Sequence, residues 1–360
     1  MTTDQSWFSE TETQRVKSYL RPSMIKILLT GGAGFIGSHI AVSLRAAGYV
    51  PIILDNLSNS ERSVTDGISR ITGFEEKIHE IDCRDSQAIL DLIEKEGGIS
   101  GIIHLAAFKA VGESVENPLK YYDNNVGSMT SILEVTEKLQ IQSFVFSSSC
   151  TVYGSPKSIE VTEKTPMGDA FSTYGYTKQI GERMIENLSK TDIKTKFVSL
   201  RYFNPIGAHP SSQIGELPLG RPNNLIPFVC QTAAGLRNEL TVFGNDYKTI
   251  DGTCVRDYIH VSDLAEAHVR ALEYIGQKEA PQHDVFNIGT GKGNSVKEII
   301  DTFKNENGID FKVKYGPRRA GDVEAIFANT QKASTVLKWQ PEYTLSDALV
   351  HAWNWQKTLK

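Results

Sequence analysis

The chain has 360 residues, of which 40% are hydrophobic and 22% are charged, and its formal net charge at pH 7 is −5. This length and composition are typical of a globular protein with a large buried core, in one large domain or two smaller ones. The acidic balance argues against nonspecific binding to nucleic acid or to a membrane surface, because both favour basic proteins.

The N-terminal residues 1–23 are polar and include acids. They lack the basic start and apolar middle of a secretion signal, and no apolar run in the chain reaches the ~18 residues of a membrane span. We predict an N-terminal extension, either a short amphipathic helix or a disordered segment. The four cysteines, at positions 83, 150, 230 and 254, form no CxxC or Cys/His cluster. We therefore expect free thiols in a reducing cytoplasm, with neither a disulfide framework nor a metal site.

Strands and helices alternate from Met24 to about residue 204. The apolar patterns predict strands at 24–30, 50–55, 79–85, 101–107, 142–149 and 196–204. They also predict helices between these strands, including a long helix at about 115–139. This alternation favours an α/β fold in which a parallel sheet is wound with helices on both faces.

The rhythm changes after residue 205, where four prolines between 205 and 222 indicate an ordered loop region. Shorter elements follow, with helices predicted near 225–236 and 262–276 and strands near 241–244, 255–261, 285–289 and 312–316. We predict a nucleotide-binding domain at 24–204 and a smaller substrate-binding domain at 205–360, with some chain exchange between them. The cleft at such a boundary is where small ligands usually bind.

A glycine motif, GxxGxxG, joins the first strand to the first helix at Gly31, Gly34 and Gly37. A glycine triplet alone is equally well explained by a tight turn. Between a strand and a helix, however, glycines let the backbone approach a pyrophosphate, and the helix N-terminus supplies amide hydrogens and a positive dipole. Asp55 ends the second strand, where a carboxylate suits ribose hydroxyls and repels a 2′-phosphate. We predict a Rossmann-type fold that binds NAD rather than NADP; the alternative for Asp55 is a residue that caps its own loop.

Ser149, Tyr174 and Lys178 form a candidate acid/base set. Tyr174 and Lys178 are four residues apart, which places them on one face of a helix. A phenol loses its proton near pH 10, and we expect the neighbouring ammonium to lower the pKa of Tyr174. The set predicts proton transfer to and from an alcohol. The alternative for Ser149 is a strand-end residue bonded to backbone.

The glycine spacing and the Ser/Tyr/Lys set resemble the extended short-chain dehydrogenase/reductases. Longer blocks are similar to the UDP-glucose 4-epimerase family over roughly residues 24–355, and they include TGGAGFIGSH, HLAAFKAVGESV, FVFSSSCTVYG, LRYFNPIGAHPS, VFGNDY and DGTCVRDYIHV. The resemblance implies NAD that is tightly bound and not consumed, a UDP-sugar substrate, and a homodimer. We expect the helices near 115–139 and 174–190 to pair in that dimer.

The resemblance also assigns site residues. The cofactor-binding residues that it implies are Gly31, Gly34, Phe35, Ile36, Gly37, Asp55, Asn56, Leu57, Ser58, Asn59, Ser60, Asp82, Cys83, Leu105, Ala106, Ala107, Phe108, Lys109, Asn124, Ser149, Tyr174, Lys178 and Phe203. The substrate-binding residues that it implies are Lys109, Ser149, Tyr174, Asn204, Asn224, Leu225, Thr241, Val242, Phe243, Arg256, Arg319, Asp322 and Ile326.

Within the substrate set, Arg256 and Arg319 would hold phosphates and Asp322 would meet the uridine ribose. An acidic protein needs such focused cations for a diphosphate, and guanidinium groups can bind its oxygens in pairs. For Lys109, an ion pair with Glu113 is the alternative. His104 and His260 lie in apolar runs, and we expect both to be ordinary core histidines.

The implied reaction is an isomerisation that inverts carbon 4 of a UDP-hexose. It would interconvert UDP-galactose and UDP-glucose through a transient 4-keto sugar and enzyme-bound NADH. A dehydratase or decarboxylase of the same superfamily fits less well, because dehydratases carry acidic residues where this chain has Cys150 and Thr151. A non-catalytic NAD-binding regulator would have no need of the Ser/Tyr/Lys set.

The resemblance implies that substrate breadth depends on a position near the sugar, and the matching position in this chain is Ile326. We expect UDP-galactose and UDP-glucose to be the main substrates, with weak or no action on N-acetylated forms. The alternative function is that of a UDP-N-acetylglucosamine or UDP-pentose 4-epimerase.

Overall fold

The computed structural model describes residues 25–319 and 322–359. The predictions for the extension at 1–23, and for a core that begins at Met24, lie outside the described residues.

The strands and helices of the described chain follow one another with short connections. The strands are β1 (Lys26–Thr30), β2 (Val50–Asp55), β3 (Ile78–Glu80), β4 (Gly101–His104), β5 (Ser143–Ser149), β6 (Glu160–Val161), β7 (Lys196–Tyr202), β8 (Asn204–Ile206), β9 (Leu240–Phe243), β10 (Val255–Arg256), β11 (Tyr258–His260), β12 (His283–Ile288), β13 (Asn294–Ser295), β14 (Val313–Gly316) and β15 (Ala325–Ala328). The α-helices are α1 (Phe35–Ala46), α2 (Val64–Thr72), α3 (Ser86–Lys95), α4 (Val111–Glu116), α5 (Pro118–Tyr121), α6 (Gly127–Lys138), α7 (Thr173–Leu188), α8 (Leu225–Ala233), α9 (Val261–Ile275), α10 (Val296–Asn307) and α11 (Leu345–Thr358).

The largest sheet of the described chain has seven strands in the order β3-β2-β1-β4-β5-β7-β12. Every neighbouring pair in it is parallel. Its central strands are short apolar runs whose side chains are buried on both faces, as expected when helices cover both sides. The strand order reverses between β1 and β4, which is where α/β proteins of this type bind nucleotides. The predicted Rossmann-type α/β fold is confirmed.

The chain crosses between the large sheet and the smaller C-terminal sheets in both directions. β12 and α9 lie beyond residue 204, yet β12 pairs with β7 and α9 packs on α1 in the core of the large sheet. In the opposite direction β6 pairs with β15, in a four-stranded sheet with β10 and β13. Elements on each side of residue 204 complete a sheet of the other side, as the predicted chain exchange requires. The division into two domains at residue 204 itself stays a prediction.

Two predicted elements are broken in the structure. The helix expected at about 115–139 is replaced by α4, α5, a single π-helical turn at Tyr122–Val126 and α6. Pro118 begins α5, because its ring is accommodated only in the first turn of a helix. The strand expected at 255–261 is likewise divided at Asp257 into β10 and β11, which belong to different sheets.

The carboxyl ends of β1, β2, β4, β5 and β7 meet along one edge of the large sheet. Within residues 25–319 and 322–359, no helix combines the length and apolar character needed to cross a bilayer. All four cysteines are free thiols, and Cys83, Cys230 and Cys254 are buried.

Candidate active site

The glycine turn at the carboxyl end of β1 places backbone without side chains at the carboxyl edge of the large sheet. Gly31 has a φ of +68°, and a Cβ there would lie 2.9 Å from the backbone nitrogen of Ala106. A Cβ on Gly37 would lie 2.3 Å from the carbonyl oxygen of Gly31. Gly34 precedes α1 without any side-chain cap, which leaves the first amides of the helix, at Phe35 and Ile36, free of a capping side chain. The turn is therefore shaped for an anion at a helix N-terminus.

Asp55 links the glycine turn to the loop after β2. Its Oδ2 accepts a hydrogen bond from the amide of Ala33 at 3.0 Å. Its Oδ1 accepts from the amide of Leu57 and the hydroxyl of Ser60, each at 2.9 Å. Asp55 thus caps its loop, as the alternative interpretation held. The same bonds fix its carboxylate at the end of β2, the position predicted to meet a ribose.

The predicted adenine side lies next to this loop. Asn56 donates to Asp82 at 3.3 Å, and Asn56 also accepts from the amide of Ser58 at 3.1 Å. Arg84 pairs with Asp82 at 2.9 Å, and its hydrogen bonds lower the pKa of Asp82 to about 2. Cys83 is 6% exposed and burial raises the pKa of its thiol, so it presents a neutral group.

The loop after β4 is held by a residue that the sequence analysis missed. Asn125 is buried; its Oδ1 accepts from the amide of Phe108 at 2.8 Å and its Nδ2 donates to the carbonyl of Phe108 at 3.0 Å. The same Nδ2 donates to the hydroxyl of Thr177 on α7 at 3.1 Å. Asn124 in turn donates to Asn125 at 3.0 Å. Asn125 thereby fixes the predicted cofactor loop at 105–109 against the helix that carries Tyr174.

The structure brings Ser149, Tyr174 and Lys178 together. Ser149 ends β5, the other two lie in the first two turns of α7, and all three are less than a tenth exposed. The hydroxyl of Ser149 accepts a hydrogen bond from the amide of Thr151 at 3.2 Å, as the alternative interpretation of Ser149 held, and it is close enough to Tyr174 to affect the pKa of the phenol. Lys178 Nζ donates to the carbonyl oxygen of Ser147 at 2.7 Å and lies 5.8 Å from the ring centre of Tyr174. The three groups form one buried acid/base cluster.

Burial, rather than the lysine, dominates the protonation of Tyr174. Burial raises the pKa of Tyr174 to about 12, and the polar hydroxyl of Ser149 acts in the opposite direction. Burial also lowers the pKa of Lys178 to about 8, against the charge of Glu182. The expectation that Lys178 brings the pKa of Tyr174 below its usual value is therefore wrong in this structure. At neutral pH the pair is a neutral phenol beside an ammonium, and a further positive charge beside Tyr174 would be needed to release its proton.

The predicted phosphate and ribose contacts of the substrate form an ion cluster. Arg319 Nη2 donates to Asp322 Oδ1 at 2.8 Å, and Arg256 Nη2 lies 3.9 Å from the same oxygen. Arg256 is in β10, directly beside Ile326 in β15. Ile326 is 4% exposed and packs in a buried cluster with Phe203. Its side chain is therefore part of the core and does not project into open space.

Lys109 and Asn224 converge on a carboxylate that the sequence analysis did not single out. Lys109 Nζ and Asn224 Nδ2 lie 3.1 Å and 2.6 Å from the same oxygen, Glu216 Oε1. Glu113, the predicted partner of Lys109, instead pairs with Lys120 at 2.6 Å. The alternative of a Lys109–Glu113 ion pair is therefore wrong.

The remaining predicted residues are distributed over neighbouring elements. Leu105, Ala106 and Ala107 follow β4, Asn59 lies in the loop after β2, Asn204 begins β8 beside Tyr258, and Leu225 begins α8. Thr241, Val242 and Phe243 are in β9, which pairs with β14 in a separate two-stranded sheet. Val242 is 2% exposed and offers almost no surface to a ligand, whereas Phe243 is 44% exposed.

The two predicted core histidines are buried and hydrogen-bonded. His104 is 2% exposed and its Nδ1 lies 2.8 Å from Thr30 Oγ1. His260 is 1% exposed and its Nδ1 accepts from the amide of Ser262 at the start of α9. In the described part of the chain, no group of three or more His, Cys, Asp or Glu side chains is placed to hold a metal ion.

Comparison with known proteins identifies the class to which this fold and site belong. The model of the NAD dependent epimerase/dehydratase family matches residues 27–289. The chain belongs to this family.

Its relatives carry a more specific name. A UDP-glucose 4-epimerase of Bacillus subtilis is 46% identical over 332 residues, which cover 92% of this chain and 97% of that protein. The crystal structure of UDP-glucose 4-epimerase from Bifidobacterium longum in complex with NAD⁺ and UDP superposes with a TM-score of 0.88, at 41% identity, over 92% of this chain and 98% of the other. The Stenotrophomonas maltophila enzyme, solved with NAD and formylated UDP-arabinopyranose, gives a TM-score of 0.89 at 41% identity over 93% and 98% of the two chains. The predicted resemblance to UDP-glucose 4-epimerases is confirmed.

Proposed function

We propose that the protein is an NAD-dependent UDP-hexose 4-epimerase, an isomerase that interconverts UDP-galactose and UDP-glucose in galactose metabolism. The observation that carries this proposal is the buried Ser149–Tyr174–Lys178 cluster at the carboxyl edge of the sheet, beside a glycine turn shaped for a dinucleotide. Family membership and the named relatives support the same reaction and the same cofactor.

The residues at the sheet edge fit NAD. Gly31 and Gly37 let the turn pack closely against neighbouring backbone, and no side chain caps the first amides of α1, which can therefore bind a pyrophosphate. Asp55 is held at the end of β2, where its carboxylate would accept hydrogen bonds from ribose hydroxyls and repel a 2′-phosphate. When bound there, NAD supplies a hydride acceptor and then a hydride donor for carbon 4, together with a positively charged ring.

The chain's own residues move the proton. Ser149 positions the 4-hydroxyl of the sugar, and Tyr174 removes its proton as carbon 4 becomes a ketone. Lys178 places an ammonium beside Tyr174, and the positively charged ring of bound NAD would add the further charge that the buried phenol needs to lose its proton. After the 4-keto sugar has turned over, Tyr174 returns the proton to the same oxygen while carbon 4 is reduced on its other face. Tyr174 is thus a base and an acid in one turnover.

Most of the proposed contacts with the substrate are made to its UDP part. Arg256, Arg319 and Asp322 form one cluster of polar groups for a diphosphate and a ribose, and Lys109 and Asn224 form a second. Binding energy placed far from carbon 4 leaves the sugar free to rotate between the two hydride transfers. We assign these residues to the substrate, and the glycine turn, Asp55 and the loops after β2, β3 and β4 to NAD.

The range of sugars is proposed to be narrow. UDP-galactose and UDP-glucose are the main substrates, and N-acetylated forms react weakly or not at all, because Ile326 packs tightly in its cluster. UDP-pentoses are a second candidate, since the relative solved with formylated UDP-arabinopyranose is 41% identical to this chain. Comparable kcat/KM values for UDP-galactose and UDP-N-acetylgalactosamine would contradict the narrow range.

The protein is proposed to be a cytoplasmic homodimer. Five large apolar side chains are exposed on α4, α5, the π-helical turn and α7: Val111, Val115, Leu119, Tyr122 and Tyr176. Leu119 is 80% exposed, an unfavourable position for leucine in a monomer. Light scattering should give twice the chain mass, and Leu119→Glu should shift it toward the monomer. The free thiols support the cytoplasmic location.

The reaction is tested by giving the purified protein UDP-galactose without added NAD and following UDP-glucose by chromatography. We expect conversion, because NAD stays bound through purification. If nothing converts even after NAD is added, the proposed reaction is wrong.

The variant Tyr174→Phe tests the base. We expect kcat to fall at least about 100-fold, within the range that general acid–base catalysis contributes, with UDP affinity unchanged. Isothermal titration with UDP checks that the variant still binds nucleotide. Turnover close to the unmodified level would remove Tyr174 from the mechanism.

A further inference from the structure

A buried carboxylate, that of Glu182, lies directly behind the Ser149–Tyr174–Lys178 cluster and has no role in the mechanism above. Glu182 follows Lys178 by one turn of α7 and is 2% exposed. Its Oε1 accepts a hydrogen bond of 2.5 Å from the hydroxyl of Ser148, the residue before Ser149. A carboxylate at this depth needs partners, since an isolated buried charge is strongly unfavourable.

The main partner of Glu182 is Arg201 on β7, which is 5% exposed. Arg201 Nη2 donates to Oε2 at 2.7 Å and its Nε donates to Oε1 at 3.0 Å, the two-pronged geometry that fixes both groups in orientation. One side chain of α7 is thereby bonded both to the strand that ends in Ser149 and to the next strand of the sheet.

Arg201 extends the network to the turn that follows Ser149. Its Nη1 donates to the hydroxyl of Tyr153 at 3.1 Å, and that hydroxyl donates to Asn287 on β12 at 2.5 Å. Asn287 in turn donates to the carbonyl of Val161 at 2.9 Å. Tyr153 and Asn287 are fully buried. Fully satisfied networks of this kind hold one arrangement of the surrounding backbone.

The placement of charge gives Glu182 a second effect. Burial lowers the pKa of Lys178 to about 8, and Glu182 is the charged group that raises it. Lys178 also faces the aromatic ring of Phe146 at 5.0 Å and donates to the carbonyl of Ser147. Of these surroundings, the carboxylate of Glu182 carries the full negative charge that favours the ammonium.

We propose that Glu182 is a positioning residue of the epimerase reaction. It holds the serine strand against the helix that carries Tyr174 and Lys178, and its carboxylate lies one helical turn from Lys178, where its negative charge acts on the ammonium. This proposal rests on the proposed function, since it assigns a role within that reaction.

Glu182→Gln is the first test, because glutamine keeps the shape and a hydrogen-bond acceptor for Ser148 but removes the charge. We expect kcat to fall about tenfold or more, with KM for UDP-galactose within about threefold. The alkaline limb of the kcat profile should move to lower pH by at least about half a unit. Glu186→Gln is the matched control: Glu186 lies one turn further along α7, its side chain is 38% exposed, and it pairs with Arg183 and Lys190. It should leave all three quantities unchanged.

The loss of Glu182 alone leaves Arg201 buried without its partner, which could unfold the protein. The double variant Glu182→Gln with Arg201→Met removes both charges and keeps the side-chain volume. It should remain folded by circular dichroism and show the same shift of the alkaline limb, because the charge that faces Lys178 is still absent. Glu182→Asp keeps the charge and should restore the position of the limb, even where its kcat stays low.

A measurement without substrate separates this proposal from the proposed function. In protein labelled with ¹³C-lysine, the Cε resonance missing in Lys178→Met reports the titration of Lys178. Its midpoint should fall by at least about half a pH unit in the folded Glu182→Gln or double variant. An unchanged midpoint, with unchanged kcat and pH profile, would overturn the role of Glu182. A protein that shifts this midpoint yet never converts UDP-galactose would contradict the proposed function instead.

Discussion

At the residue scale, burial sets the protonation of Tyr174 and Lys178, the two titrating groups in the proposed catalytic cluster. The pKa of Tyr174 is raised to about 12 and that of Lys178 is lowered to about 8, in each case because the buried environment disfavours the charged form. The two effects oppose each other in the reaction, which needs a charged lysine and a phenol that can ionise. The usable pH range is therefore limited by the lysine.

The epimerase activity should decline at a lower alkaline pH than it would if the essential lysine were exposed. As the pH rises through about 8, Lys178 loses the proton that the reaction requires. We expect kcat/KM for UDP-galactose to decline above about pH 8, whereas an exposed lysine would hold its charge to about pH 10.4. Chromatographic assay of the product between pH 6.5 and 10 avoids coupling enzymes with their own pH dependence. A flat profile up to pH 10 would show that Lys178 keeps its proton in the complex.

Some residues of the candidate site could be predicted from the sequence and others could not. Ser149, Tyr174 and Lys178 could be predicted because a fixed spacing and a strand end place them together. Asn125, Glu182 and Glu216 could not, because their roles depend on partners far away in the chain. Lys109 and Glu216, for example, are 107 residues apart. Local patterns carry no information on which distant loop supplies the partner.

At the element scale, the loop that contains Glu216 connects the two halves of the candidate site. Glu216 Oε1 is bonded to both Lys109 and Asn224, while its backbone carbonyl accepts from Trp355 of α11 at 3.0 Å. The preceding Gly215 lies so close to Trp355 that a Cβ would approach its ring to 2.4 Å. The loop is thus pressed onto the C-terminal helix, and its carboxylate neutralises a cation proposed to meet the substrate.

Glu216→Gln should strengthen substrate binding. Glutamine keeps an oxygen for Lys109 and Asn224 but leaves the charge of Lys109 free for an anionic diphosphate. Because Lys109 is 46% exposed, solvent screening limits the gain to below about 1 kcal/mol, or up to about fivefold in KM for UDP-galactose. Steady-state kinetics at low and high salt measure the effect, which should shrink as salt increases.

The matched variant Glu216→Ala removes the hydrogen-bond acceptor as well as the charge. Both ligand-binding side chains then lose their fixed position, and we expect KM to rise. An increase of KM in Glu216→Gln would mean that the carboxylate itself holds the substrate.

The boundaries of elements were predicted less well than their order. The strands of the large sheet appear where apolar runs end at glycines or acids, because that pattern follows directly from burial on both faces. The break at Pro118 and the division at Asp257 depend on tertiary contacts. Asp257 is fully buried and accepts hydrogen bonds from the amides of Thr290, Gly291 and Ala328, which draws β10 away from β11. No periodicity in the sequence signals those partners.

At the scale of the whole molecule, both halves contain buried histidines that remain neutral. His39 lies on α1, His104 ends β4, His260 precedes α9 and His268 lies within α9, and none is more than 2% exposed. Burial lowers the pKa of His39, His104 and His260 to about 3 and that of His268 to about 4. The folded protein therefore keeps these side chains unprotonated under mildly acidic conditions.

Acid should weaken the fold at a pH well above the ordinary titration range of carboxylates. In the unfolded chain a histidine binds a proton near pH 6.5, so below that pH the unfolded state takes up protons that the folded state does not. The free energy of unfolding then falls as the pH falls, by on the order of 1.4 kcal/mol per pH unit for each such histidine, until the folded pKa is reached. We expect Tm to drop by about 10 °C or more between pH 7.5 and 5. His268→Gln removes one of the four, so the slope of Tm against pH should become shallower whatever its effect on Tm at pH 7.5. An equal slope in the variant, or a constant Tm over this range, would show that the histidines are protonated without cost in the folded protein.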